Sequence, residues 1–461
     1  MEQTFLSPIV LLAVIIAGVM ICTAERRKAL AAFLAAALLI PPDQVLLVGG
    51  VHFPMLRILA VFGFVRFLRA KFVGKESIFS GGMNGIDKSV IALSVFSLIS
   101  GMLLWRVWAQ LVFQLGSLVS VFGAYFLLRF LIRDSDDVGH AIRVLAVAAG
   151  LITPIVLYER FTGVNLLYST LGGSRAELLG SAVVRDGHFR AAGPFAISIL
   201  AGTFGGILFP LCLGLWWKRR IDRKYAVLGM VASILISISA SSSTAMLGLV
   251  GGIVGLCFWP LRRRMRIIRW GIVGVLLSLH LYMKSPVWHL IAYIDLTGSS
   301  SSFHRYNLLN QCIIHFWDWV LVGTKSYADW GWDMYDLCNQ YVFIADQSGL
   351  IPLLSFLTII VLAFRYVGKA WRSALYREQR LFIWALSASL FANVVAFLGV
   401  SYFDQTIVVW YVVLAMICAM VSSVRKERSE NALLRSQDNL LGGARASQQQ
   451  DIEIASLSVR P

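Results

Sequence analysis

Apolar runs of about 17 to 25 residues recur along the whole chain, and no other feature narrows the possible folds as far. A run of that length crosses a hydrocarbon core as one α-helix. Inside lipid every backbone N–H and C=O must find its partner within the protein, which leaves only helices and closed barrels. The runs lack strand-period alternation, so a barrel is disfavoured. Charged residues make up only 14% of the chain, against roughly 25% in a soluble domain. The expected fold is therefore all-α: a polytopic transmembrane helical bundle of about 12 to 13 spans with one large outer loop. The runs lie near 5–23, 28–43, 50–68, 88–105, 107–132, 139–159, 193–217, 225–240, 242–260, 267–284, 341–364, 380–400 and 405–424. No internal repeat is evident, which weighs against an inverted-repeat transporter.

The net charge of +16 raises nucleic acid as a partner. No soluble basic domain carries that charge, so no nucleic acid is expected. The basic residues cluster instead at the ends of apolar runs, at 26–28, 66–75, 218–224, 262–269 and 365–380. These clusters fall on one side of the expected bundle, and the positive-inside rule makes that side the cytoplasm. Glu2 precedes the first run and three basic residues follow it, the reverse of a signal peptide. The N-terminus is thus expected outside and the C-terminus inside. Residues 1–424 form the transmembrane domain, and the polar tail 425–461 is expected to be a disordered cytoplasmic segment. Cys22, Cys212, Cys257 and Cys418 lie in apolar runs and read as packing residues. Cys312 and Cys338 lie in the outer loop, where a disulfide and two separate thiols are both open.

The outer loop, 285–340, is where polar and aromatic residues gather between spans. His304, Asn307, Gln311, His315 and Asp318 recur at steps of three or four, with Leu309, Cys312, Ile313, Phe316 and Val320 on the other face. That spacing predicts an amphipathic helix over 304–320, capped by Ser301 or Ser302, lying on the membrane surface or roofing a cavity. Trp317, Trp319, Trp330 and Trp332 suit the lipid–water interface.

Three stretches can carry chemistry. Arg185 and Arg190 precede Gly193, Pro194 and Phe195 ahead of the seventh span. A guanidinium beside the free N–H groups of a helix start suits an anion such as phosphate; an arginine reaching to lipid headgroups is the plainer use. Arg305 opens the loop helix, and two arginines on separate helix starts suit a diphosphate, each by bidentate contacts. Asp336, Asn339, Gln340 and Tyr341 stand at the mouth of the next span, where polar groups are costly unless they face a cavity. Asp336 can accept a proton from a sugar hydroxyl or simply cap a helix; Asn339 and Gln340 can hold the sugar. His188, His304 and His315 are candidates because they lie outside. No nucleotide-binding or zinc motif is present, so neither a metal nor a cofactor is expected.

In order and spacing these motifs resemble those of the O-antigen ligase/polymerase family of bacterial inner-membrane proteins. The resemblance rests on Arg190-Ala-Ala-Gly193-Pro-Phe195, on Arg305 opening a helix that ends in Trp319-Val-Leu-Val-Gly323, and on Asn339-Gln340-Tyr341 running to Gly349-Leu350. It covers about 185–405, the earlier spans matching only as spans. It implies metal-independent glycosyl transfer at the periplasmic face of the inner membrane, from a glycan on undecaprenyl diphosphate. Arg190 and Arg305, with Arg185, would bind the diphosphate, and Gln340 and Tyr341 the acceptor. Asp336, Asn339 and His315 would be catalytic. Many members carry His where this chain has Cys338, so Asp336 stands in as base, with His315 and His304 behind it. The expected activity is an O-antigen or exopolysaccharide polymerase; the alternatives are an O-antigen ligase acting on lipid A-core or another acceptor, and a non-enzymatic transport or assembly protein. The lipid bilayer, the lipid-linked glycan and a chain-length regulator or flippase are the implied partners.

Overall fold

The structure is a computed structural model and describes residues 6–49, 51–72, 78–173, 184–185, 187–293, 301–332, 334 and 336–457; for 185, 301 and 435–457 it describes the backbone alone. Every apolar run becomes a helix. In order these are α1 (Pro8–Thr23), α2 (Arg26–Leu39), α3 (Met55–Phe72), α4 (Gly85–Trp105), α5 (Trp108–Leu131) and α6 (Ser135–Thr162). A short α7 (Leu166–Leu171) precedes α8 (Ser198–Trp216), α9 (Arg223–Ser239), α10 (Ser243–Cys257) and α11 (Met265–Tyr282). The outer loop holds α12 (Ser301–Ile314) and α13 (Phe316–Trp319), then α14 (Gln340–Ser348), α15 (Leu350–Ser373), α16 (Arg377–Ala396) and α17 (Asp404–Leu457). Two small hairpins, Val45–Val48 with Val51–Pro54 and Val184–Arg185 with His188–Phe189, are the β structure of the described residues. The chain is an all-α, multi-pass helical bundle.

Among the described residues, eight helices are long and apolar enough to cross a membrane: α4, α5, α6, α8, α11 extended back to Trp259, α15, α16 and α17 up to Leu434. The expected count of about 12 to 13 treated every apolar run as a full span. Helix α1 has 16 residues, α2 has 14 and α10 has 15, lengths that fall short of the roughly 20 residues a straight crossing needs. Pro41 and Pro42 follow α2 and end it. The run 341–364 is cut at Gly349, whose φ of +85° no β-carbon tolerates easily.

The tail expected to be disordered from residue 425 continues α17 as helix to Leu457. Its Ala, Leu, Arg, Glu and Gln residues are good helix formers, and a preceding span removes the cost of nucleation. Low apolar content alone does not prevent such an extension. Residues 458–461 lie outside the described set.

Helix α8 is the bundle's axis, with most of its length buried. Its small residues allow this: a β-carbon on Gly205 would come within 2.6 Å of the Ser233 carbonyl, and one on Gly206 within 2.7 Å of the Leu249 nitrogen. Close backbone approach of this kind is how helices associate in lipid, where apolar burial gives little drive. Helix α11 is the opposite case, with no buried residue and contacts only to its own flanking turns.

Basic residues of the clusters at 26–28, 66–75 and 218–224 meet at one end. Arg26 and Arg27 reach Asp137 at 2.7 and 3.0 Å, Arg219 reaches Asp136 at 2.9 Å, and Arg143 reaches Asp222 at 3.3 Å. Arg66 donates to the Ile21 and Ala24 carbonyls at that end. The turn at Ser239–Thr244, the segment 190–197 and the segment 397–405 meet at the other end. We refer to this second end as the outer one.

Candidate functional site

The site is built around the turn between α9 and α10. The Ala191 N–H donates to the Ser239 carbonyl (3.1 Å), which brings Arg190 to the turn. Arg160 donates to the Ile238 carbonyl (2.9 Å) and to Ser241 Oγ (3.0 Å). Ser241 itself has a φ of +45°, uncommon for a non-glycine residue. On the other flank, Thr244 Oγ1 donates to the Gly399 carbonyl at 3.1 Å. A β-carbon on Gly399 would lie 2.6 Å from Thr244 Oγ1 and 3.2 Å from Arg305 Nε. Glycine there lets the Arg305 guanidinium reach the turn. Arg190 and Arg305, far apart in sequence, therefore flank one turn at the outer end.

Arg305 is buried, only 7% exposed, although it sits on the loop helix. Helix α12 packs inward with Ser302, His304, Arg305, Leu308 and Cys312. The faces expected from the sequence hold in part: Cys312, Leu309 and Phe316 pack inward and Asp318 is exposed, but His304 points in and Ile313 points out. The helix also ends sooner than predicted. It stops at Ile314, and a break at His315 separates it from the single turn α13.

The anion site expected at free N–H groups near Gly193 is already occupied by the chain itself. Ala192 and Gly193 donate their N–H groups to Glu159 Oε2 at 3.1 and 2.7 Å. Asn165 Nδ2 donates to the same oxygen (2.9 Å) and to the Gly193 carbonyl (2.8 Å). Helix α8 begins later, at Ser198. Backbone donors with φ-positive geometry attract anions, as expected, but the anion is an internal carboxylate. Glu159 and Asn165 were not singled out in the sequence. A carboxylate near the end of an apolar run was the available signal.

Asn339, Gln340 and Tyr341 each make side-chain hydrogen bonds within the chain. Asn339 Oδ1 caps α14 by accepting from the Tyr341 and Val342 N–H groups at 2.9 and 3.2 Å, and its Nδ2 donates to the Leu398 carbonyl. The cap is thus Asn339, not Asp336. Gln340 Oε1 accepts from the Tyr402 N–H at 2.6 Å, and Tyr341 donates its hydroxyl to the Val394 carbonyl at 3.2 Å. Together they fasten the start of α14 to the segment 394–402, which carries Gly399. Their contacts serve positioning.

Asp336 is exposed, and its carbonyl accepts from His304 Nε2 at 3.1 Å. That bond ties the strand bearing Asp336 to the residue beside Arg305. His315 is held elsewhere: Nδ1 contacts Asp318 Oδ2 at 2.9 Å, and the ring stacks on Trp330. Ten residues along a helix is about 15 Å, so His315 is not brought to Arg305. Arg185 faces His188 across the small hairpin, and its backbone alone is described. Cys312 and Cys338 are thiols that pack in one small apolar cluster with Leu308, Trp319 and Trp330, and no disulfide joins them.

One acid escaped the sequence reading. Asp346, in α14, is 1% exposed. Gln347 donates to its Oδ2 (2.8 Å), while its Oδ1 is buried with no hydrogen-bond partner. Burial pushes its carboxyl up to about 6. The polar group within Ile344-Ala-Asp346-Gln-Ser348 was the sequence signal.

A cavity of about 540 Å³ lies far from these groups, at the basic end, lined by residues such as Asp136, Lys218, Glu378 and Glu427. Lys218 pairs with Asp136 in its wall, and the outer arginines are absent from its lining. The arginine turn is the better candidate, because it joins a buried cation to a strained backbone. Among the described residues no group of three His, Cys, Asp or Glu side chains is arranged to hold a metal ion. No protein-family model matches this chain, and none of the curated proteins matches it.

Proposed function

We propose that this protein is a glycosyltransferase that joins saccharides carried on a polyprenyl diphosphate, an O-antigen or exopolysaccharide polymerase at the periplasmic face of the inner membrane. One observation carries the reading: two arginines from distant parts of the chain, one of them buried, flank a single turn at the outer end of a membrane bundle. In the reaction an acceptor hydroxyl attacks the anomeric carbon of the donor. The new C–O bond forms as the bond to the diphosphate breaks. The departing diphosphate gains negative charge, and the Arg190 and Arg305 guanidiniums neutralise it through planar, bidentate contacts. The hydroxyl proton passes to the exposed Asp336 carboxylate, whose own backbone carbonyl accepts from His304, the residue before Arg305. A ligase follows the same steps with a different acceptor.

The test uses the purified protein in lipid with a polyprenyl-diphosphate oligosaccharide and a gel readout of glycan length. Arg305→Lys keeps the charge and loses the fork, so turnover should fall about 10² to 10³-fold, as when a transition-state donor is removed. Asp336→Asn should fall by about 10² or more while donor binding persists. Unchanged chain growth by Arg305→Lys would overturn the reading. Glycan delivered to a second lipid acceptor without chain growth would reassign the protein as a ligase.

A further inference from the structure

The outer-loop helix is expected to lie on the membrane surface or to roof a cavity. Its exposed surface bears on which of the two holds. Phe303, Ile313 and Ile314 on α12, Trp317 on α13 and Leu321, two residues past it, are all exposed. Trp317 is 83% exposed and Leu321 79%. The charged and polar residues His304 and Arg305 lie on the opposite, buried face. Leu308, Cys312 and Trp319 are buried on the inner face as well, so apolar side chains line both faces of this segment, unlike a helix on a soluble domain.

Both ends of this segment are tied to the level of a span. At one end the Leu350 N–H, the first residue of α15, donates to the Val320 carbonyl at 3.0 Å. At the other, Trp288 Nε1 donates to Asn310 Oδ1 at 3.1 Å, and the Trp288 ring stacks on His280 near the end of α11. His289 packs on Tyr306, centroids 4.5 Å apart. The exposed apolar side chains also continue the outward apolar surface of α11, where no residue is buried, and of α15, where Ile351 and Leu354 are exposed. Helix α12 thus runs between two spans at the depth where both leave the hydrocarbon.

The geometry points to an apolar docking face on α12 and α13 that is occupied by the acyl chains of the outer-end leaflet, so that the loop lies in the membrane rather than above it. The continuity with α11 and α15 selects lipid over a protein partner, since those surfaces are the bundle's own lipid contact. Covering these side chains with lipid removes apolar surface that water would leave unfavourable. Arg305, on the inner face of the same helix, is then held at headgroup level.

The full-length protein, with a benzophenone photo-crosslinker at Trp317, is placed in nanodiscs of phosphatidylethanolamine and phosphatidylglycerol. The same group at Lys325, exposed on the following turn, is the control. Illumination followed by intact-mass measurement should show lipid adducts about tenfold more abundant at 317 than at 325, a partition difference of about 1.4 kcal/mol. Equal labelling at the two positions would overturn the inference. A cross-linked dimer in place of lipid adducts would also overturn it and assign the face to a second copy. No donor is present in the nanodiscs and no activity is read, so the result is independent of the glycosyl-transfer proposal.

Discussion

Asp87 and Asp346 are both buried carboxylates in helices, and the protein treats them in opposite ways. Asp87 sits in the first turn of α4 at the basic end. It accepts from Arg129 Nε (3.0 Å), Arg129 Nη2 (3.3 Å), the Tyr125 hydroxyl (2.6 Å) and the Asn84 N–H (2.9 Å). Asp346, at the outer end, has one amide donor and a buried oxygen left without a partner. A fully met carboxylate locks helices together. A half-met one costs stability, and such costs persist where a group is needed for chemistry or motion. The contrast belongs to the two side chains and not to the two ends, since Glu159 at the outer end is met as fully as Asp87.

The largest expected effect breaks the Asp87–Arg129 pair. Arg129→Met leaves the Asp87 charge buried without its cation and should destabilise the fold by about 3 to 5 kcal/mol. Thermal unfolding in detergent would show it. The double variant Asp87→Leu with Arg129→Met removes both charges and should recover much of that loss. A single variant as stable as the parent would show that the pair is not a lock.

A smaller effect of the opposite sign is expected at Asp346. Its folded carboxyl lies near 6, above the ordinary 3.8. The folded state therefore holds this proton more tightly than the unfolded chain. The contribution to stability is fully present below about 3.8, falls as pH rises, and is lost above about 6. Asp346→Asn removes the cost of burying the charge and should raise stability at pH 7 by about 1 to 3 kcal/mol. It should also flatten the pH dependence of unfolding between pH 4 and 6. Lower stability of the Asn variant at pH 7 would mean that the charged form is satisfied by a group this comparison omits.

The smallest effect sharpens the contrast at the outer end. Asn339→Ala removes the cap of α14 and should cost about 1 kcal/mol, with a partial loss of activity through the drift of Gly399. Asn339→Asp or Asn339→Ser keeps an oxygen acceptor and should restore most of the stability. Failure of both to rescue would favour a direct role of the amide in binding.

The sequence was sufficient for the helices and for their sorting by charge. Runs near 20 apolar residues must be helical in lipid, and basic residues from three of the clusters at their ends collect at one end of the bundle without any packing detail. It was also sufficient for Arg190 and Arg305 as candidates, since Arg190 lies just ahead of an apolar run and Arg305 opens the loop helix. What these residues meet was decided by the tertiary structure alone. Whether an N–H pair at Gly193 is free depends on Glu159, 34 residues away. Whether Arg305 faces water or the bundle depends on Gly399 leaving room for its side chain. Asn339, Gln340 and Tyr341 look like ligand-binding residues until the segment 394–402 uses their hydrogen bonds. Local sequence sets which groups need partners; long-range packing chooses the partners, because hydrogen bonds are short and act only between groups the fold has already brought together.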